Sequence, residues 1–143
     1  MGNVRDILKS KDNPLVTVSP YITVFEALEK MVEKNIGALL VTENEKLTGI
    51  LTERDYARKV ILQGKTSKET RVNEVMTQNL ITVSPDNTLE DCMQYMTNKF
   101  IRHLPVVEND KLIGIVSIGD VVKYIINEQR YIIEHLEHYI KGR

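Results

Sequence analysis

The chain has 143 residues, 42% of them hydrophobic and 27% charged, with a formal net charge of −1. That is the composition of an ordinary globular domain, long enough to bury roughly two-thirds of its unfolded surface, and the near-zero charge argues against nucleic acid or an anionic membrane as partner. The single cysteine, Cys92, excludes an internal disulfide and suits a reducing cytosol. No run reaches transmembrane length and the first residues lack the apolar core of a secretory leader, so a cytoplasmic chain is expected.

In chain order, the first patterned segment is a β-branched run, Leu15 to Val18, stopped by Ser19-Pro20. Thr23-x-x-Glu26 then has the form of a capping box, and Ala27, Leu28, Met31 and Val32 follow at helical spacing. Two strands, Ala38 to Thr42 and Lys46 to Leu51, flank a polar turn and predict a hairpin, with a helix opening near Thr52. The polar stretch 62–75 predicts a joining loop with one helical turn near Val72 to Met76. The pattern then restarts. Leu80 to Val83 predicts a strand, Thr88-x-x-Asp91 with Cys92, Met93 and Met96 a helix, and Leu104 to Val107 with Lys111 to Val116 a second hairpin. A last helix opens near Ser117.

Those two passages are one passage written twice. Val16 to Ile61 lies without a gap on Ile81 to Ile126, and roughly 18 of about 46 aligned positions are identical. Thr-Val-Ser-Pro opens both copies, Lys-Leu-x-Gly-Ile stands late in both, and an Asp follows six residues after that Gly. Units this short read as halves of one globule, packed across a pseudo-two-fold axis with clefts between them. The expected fold is α+β: two strand-helix-strand-strand-helix repeats, the first with its leading segment and linker over residues 1–75, the second over 76–126, and a C-terminal helix over 127–143. In that helix Tyr131, Ile132, Ile133, Leu136, Tyr139 and Ile140 make an apolar stripe, which either covers the chain's own core or makes a subunit contact.

The repeat resembles the CBS domain, the cystathionine-β-synthase-type module, and the chain resembles a tandem CBS pair. The resemblance spans about Val4 to Ile126. It rests on the Thr-Val-Ser-Pro openings, on Ile101-Arg102-His103-Leu104-Pro105-Val106-Val107, on Leu112-Ile113-Gly114-Ile115-Val116-Ser117-Ile118-Gly119-Asp120 and its counterpart Leu47 to Asp55, and on the linking Val75-Met76-Thr77. It implies a small sheet with two helices per repeat and a regulatory, non-catalytic module that binds adenosine ligands.

Residue by residue, the resemblance implies ribose binding by Thr52 and Asp55 in one cleft and by Ser117 and Asp120 in the other. A carboxylate there accepts hydrogen bonds from both ribose hydroxyls, and helix N-terminal amides favour an anion. The same Ser/Thr-x-x-acid signature is also a helix cap, and both readings stand at this point. The family pattern has each cleft borrow residues from the other repeat. Asp55 would take Arg102 and His103, and Asp120 would take the uncharged Gly37 and Ala38. Arg54 and Arg58 add donors beside Asp55, so the Asp55 cleft is expected to be the stronger phosphate site. Val16, Val18, Ile36 and Leu51 are the expected adenine walls, or simply core. The shared adenosine part leaves AMP, ADP, ATP and NAD open as ligands.

Other motifs do not mature. Gly64-Lys65-Thr66 lacks the earlier glycine of a phosphate-binding loop, which would fall at Lys59. His135 and His138 share a helix face without further metal ligands nearby in sequence, and no nucleophile and base stand in a catalytic pattern. No enzyme activity, catalytic cofactor or metal is expected. The leading expectation is an adenine-nucleotide sensor that forms a homodimer and regulates a separate protein. The alternative is a constitutive dimeric scaffold with empty clefts.

Overall fold

The computed structural model describes residues 2–11 and 15–141. Its elements run α1 (Val4–Ser10), β1 (Thr17–Val18), α2 (Val24–Lys34), β2 (Ala38–Glu43), β3 (Lys46–Thr52), α3 (Glu53–Tyr56), α4 (Val72–Val75), α5 (Leu89–Asn98), β4 (His103–Glu108), β5 (Lys111–Ser117) and α6 (Ile118–Lys141). α3 continues as π-helix over Ala57–Ile61, where the Leu62 amide donates to the Ala57 carbonyl five residues back.

The two repeats agree in detail. β1 runs parallel to β2, which pairs antiparallel with β3; β4 pairs antiparallel with β5. Both hairpins turn through two left-handed residues, Asn44-Glu45 and Asn109-Asp110, the twist that suits flanking strands. Both carry a bulge at the same place, between Val41 and Thr42 and between Val106 and Val107. Thr23 and Thr88 close capping boxes with Glu26 and Asp91, as their spacing predicts.

The segment ahead of each repeat packs on the other one. The Val4 and Arg5 amides donate to the Asn87 and Pro85 carbonyls, and the Val72 and Asn73 amides donate to those of Ile22 and Pro20. Val4 and Ile7 are therefore buried in the core of the second repeat, among Val83, Leu89, Leu104 and Val106. Val72 and Val75 are buried in the first, among Val24, Leu39, Leu51 and Val60. A third cluster, Ala38, Leu40 and Ile50 with Leu112 and Ile115 against it, joins the hairpins. Each crossing segment lies over the strand glycine of the repeated Lys-Leu-x-Gly-Ile. A Cβ on Gly49 would stand 2.7 Å from Met76 Sδ, and one on Gly114 2.7 Å from Leu8 Cδ2. The repeated glycines thus make room for the crossover.

Three features depart from the sequence reading. The strand expected at Leu80 to Val83 is reduced to one parallel bridge, Val83 opposite Val106. The first repeat has a second rung, Thr17 opposite Leu40; its counterpart would set Thr82 opposite Pro105, which has no amide hydrogen to donate. The residues from 127 onward are not a separate helix. They continue α6, which runs 24 residues from Ile118 to Lys141, because no Gly or Pro interrupts the chain near Asn127. The first half of α6 packs through Val121, Tyr124 and Ile125, while Gln129 to Lys141 are exposed. The third is α1, which the sequence reading leaves without an element.

Candidate functional site

The β3–α3 and β5–α6 junctions deliver the two aspartates. At the first, the Thr52 amide donates to Asp55 Oδ2 at 3.0 Å and the Asp55 amide donates to Thr52 Oγ1 at 3.1 Å. At the second, the Ser117 amide donates to Asp120 Oδ2 at 2.9 Å and the Asp120 amide to Ser117 Oγ at 3.1 Å. Both pairs are therefore helix caps. Capping engages only one oxygen of each carboxylate, and the fate of the other distinguishes the sites.

Asp55 is fully engaged. Its Oδ2 also accepts from Thr52 Oγ1 at 3.1 Å. Its Oδ1 accepts the Thr77 hydroxyl at 2.9 Å and lies 3.0 Å from Lys59 Nζ. The residue is 6% exposed. Asp120 has a freer carboxylate. Lys11 Nζ lies 2.9 Å from Oδ2, and among the described residues Oδ1 accepts no hydrogen bond. Burial alone would raise the Asp120 pKa, but the bonds from Lys11 and from the Ser117 amide outweigh it and hold the carboxyl below its ordinary value.

A cleft of about 380 Å³ opens beside Asp120. Ser117 and Asp120 line it from the second repeat, Gly37 and Ala38 from the first. Val16 and Ile36, with Ile113 and Ile115, form part of its apolar lining. The Gly37 and Ala38 pair thus meets the Asp120 side in one space. His103, which the family pattern directs to Asp55, lines this same cleft. Burial lowers the His103 pKa. Asp120 pulls it up, Lys11 and Arg102 push it down, and Glu53 pulls it up, and the balance favours neutral imidazole.

The remaining expected site residues lie elsewhere. Val18 is half-buried against the first core, and Leu51 is fully buried within it. Arg54, Arg58 and Arg102 are exposed, and none forms an ion pair among the described residues. The Arg102 carbonyl accepts from the Ile118 amide, as the Gly37 carbonyl does from the Glu53 amide, so both positions tether a helix start. His135 and His138 are exposed, and no group of three potential metal ligands occurs among the described residues. No helix among them is long and apolar enough to cross a membrane.

Sequence reasoning missed Lys11. Its signal was present: Val4-Arg5-Asp6-Ile7-Leu8 is echoed by Val72-Asn73-Glu74-Val75-Met76. That echo marks the leading segment as a crossover, which brings Lys11 to the second repeat.

Two repeats of one α+β unit, crossed at their leading segments and opening a cleft at a capped aspartate, define a tandem-repeat module. The chain belongs to the CBS-domain family, whose model matches residues 4–61 and 72–127. It is 43% identical over 148 residues to the mitochondrial CBS domain-containing protein CBSX3 of Arabidopsis thaliana, covering 97% of this chain and 72% of that one. It is 40% identical over 120 residues to the CBS domain-containing protein YhcV of Bacillus subtilis, covering 84% and 83%. A solved structure of a putative signal-transduction protein with CBS domains from Burkholderia ambifaria superposes with a TM-score of 0.86 at 48% identity, covering 89% of this chain and 96% of that one. CBS-domain proteins are typically regulatory rather than catalytic.

Proposed function

We propose that this chain is a non-catalytic regulatory module that binds an adenosine ligand, AMP, ADP, ATP or NAD, in the Asp120 cleft. One observation carries the reading: a carboxylate with an unengaged oxygen lines a cleft whose walls come from both repeats. The Asp120 Oδ1 is available to a ribose hydroxyl, the apolar wall of Val16, Ile36, Ile113 and Ile115 suits a purine, and Lys11 supplies a cation for phosphate. The volume is at the lower end for small-molecule sites, which fits the adenosine part with its phosphates toward Lys11. The flanking arginines favour Asp55, but both of its oxygens are engaged, and this moves the proposal to Asp120.

A ligand bridging Gly37 and Ala38 with Ser117 and Asp120 holds the repeats in one relative packing. It shifts the module only through its different affinity for the packings available. A separate protein that reads that packing is the regulated partner. The exposed half of α6 supports a homodimer. Its apolar residues, Tyr131, Ile132, Ile133, Leu136, Tyr139 and Ile140, are more than half exposed, and a lone helix of that length is marginal in water. A second copy offers the same stripe, and such isologous pairing closes at two. The buried, unpaired Cys92 suits a reducing cytosol.

Thermal denaturation with AMP, ADP, ATP and NAD tests the reading. A ligand at a hundredfold excess over its Kd adds about 2.7 kcal/mol, so the Tm rises for at least one of them and the rise is lost in Asp120→Asn. A Tm indifferent to all four would support the scaffold reading instead.

A further inference from the structure

We infer that Lys11 is a built-in occupant of the Asp120 carboxylate that makes the cleft select phosphorylated over unphosphorylated adenosine ligands. This rests on the reading of the cleft given above and deepens it.

Lys11 is fixed at its backbone and carries its ammonium on a flexible stem. It ends α1: its backbone is extended, at φ −93° and ψ 130°, and its amide donates to the Leu8 carbonyl. α1 in turn is anchored by buried Val4 and Ile7. From there the side chain reaches across to the second repeat, where Nζ donates to Asp120 Oδ2 at 2.9 Å and to the Ile115 carbonyl at 2.8 Å. An ammonium has three hydrogens, and two are used here. The side chain is 23% exposed, so the pair is largely shielded from solvent.

The contrast with the first repeat shows that this arrangement is particular to the second. Asp55 pairs with Lys59 of its own helix, and the position corresponding to Lys59 is Tyr124. Asp120 therefore takes its counter-charge from α1, out of the other half of the chain. Among the described residues lining the cleft, Lys11 is the only lysine or arginine. His103 is held toward its neutral form by burial and adds no charge near neutral pH.

The consequence for ligands follows from charge balance. A nucleoside that engages both Asp120 oxygens with its two ribose hydroxyls competes with the ammonium at Oδ2 and offers no replacement anion, leaving a shielded cation with the Ile115 carbonyl alone. A nucleotide brings a phosphate, and the flexible lysine stem can transfer Nζ from carboxylate to phosphate with no loss of charge pairing. Lys11 thus penalises the nucleoside and favours the nucleotide.

The test is calorimetric titration of adenosine and of AMP into wild-type protein, Lys11→Met, Lys11→Arg and Lys9→Met, with Asp120→Asn as site control. Wild type should bind AMP at least about tenfold more tightly than adenosine. Lys11→Met should bind adenosine better than wild type does and bring the AMP-to-adenosine ratio close to one. Lys11→Arg and Lys9→Met, the latter exposed on α1, should keep the wild-type ratio. A ratio unchanged in Lys11→Met, with binding still lost in Asp120→Asn, overturns the role of Lys11 and leaves the cleft reading standing. Binding of neither compound by wild type overturns the role of Lys11, and the cleft reading falls with it if ADP, ATP and NAD also fail to bind.

Discussion

Thr77 donates its hydroxyl to Asp55 Oδ1 at 2.9 Å while its main chain pairs with Ile50 in both directions. The segment that crosses from the second repeat thereby closes the first carboxylate and ties Asp55 into the packing of the two repeats. Thr77→Val should cost about 1 kcal/mol of stability and Asp55→Asn about 1–3 kcal/mol, read from urea denaturation. Neither should alter the dissociation constant for a nucleotide.

The crossover glycines differ in what confronts an added methyl. At Gly49 the neighbours include the Thr77 carbonyl, which would stand 2.9 Å from an added Cβ, and backbone cannot easily yield. At Gly114 the near atom is the end of the Leu8 side chain, which can rotate away. Gly49→Ala should lose about 1–3 kcal/mol and Gly114→Ala clearly less, judged by the shift in denaturation midpoint.

Acid should weaken the fold in two stages. His103 has a folded pKa below its ordinary 6.5, so its contribution is fully present above that value. As pH falls below 6.5 the unfolded chain takes a proton that the folded one resists, and stability drops until the folded pKa is passed. Asp120, also lowered, contributes above its ordinary 3.8 and loses that contribution below it, in strong acid. Unfolding free energies measured from pH 7.5 to 5.5 should fall in wild type and stay flatter in His103→Gln. Asp120→Asn should flatten the more acidic stage and, by removing a charge that pulls the His103 pKa up, deepen the milder one.

Cys92 is fully buried among Leu89, Met96 and the second core, and burial pushes its thiol up to about 11. The thiolate is the reactive form, so a disulfide reagent at pH 8 should leave the native protein unmodified for as long as it stays folded. The same reagent should titrate one thiol per chain in denaturant. Rapid labelling of native protein would show that the core opens at α5.

The exposed half of α6 should carry the subunit contact. Light scattering should give twice 16.4 kDa for the full chain and a single-chain mass once residues after Asn127 are removed. A single-chain mass for the full protein would refute the dimer.

Much of this architecture is legible because local chemistry repeats: hairpin turns, capping boxes and strand glycines recur at one offset, and the fold follows their order. The second-repeat strand fails at Pro105, where one missing amide hydrogen outweighs a β-branched run. The sequence reading splits α6 because the repeat ends at Ile126, although nothing in the chain ends a helix there. The choice between the clefts is not legible from charge. Arg54 and Arg58 favour Asp55, whereas the engagement of that carboxylate depends on Thr77 and Lys59 arriving through packing, and Lys11 reaches Asp120 only because α1 crosses over.

The most direct measurement is titration of AMP, ADP, ATP and NAD into Asp55→Asn and Asp120→Asn side by side with wild type. The account predicts that at least one ligand binds wild type and Asp55→Asn with similar affinity and fails to bind Asp120→Asn. Loss of binding in Asp55→Asn with retention in Asp120→Asn would contradict it and return the site to the first repeat.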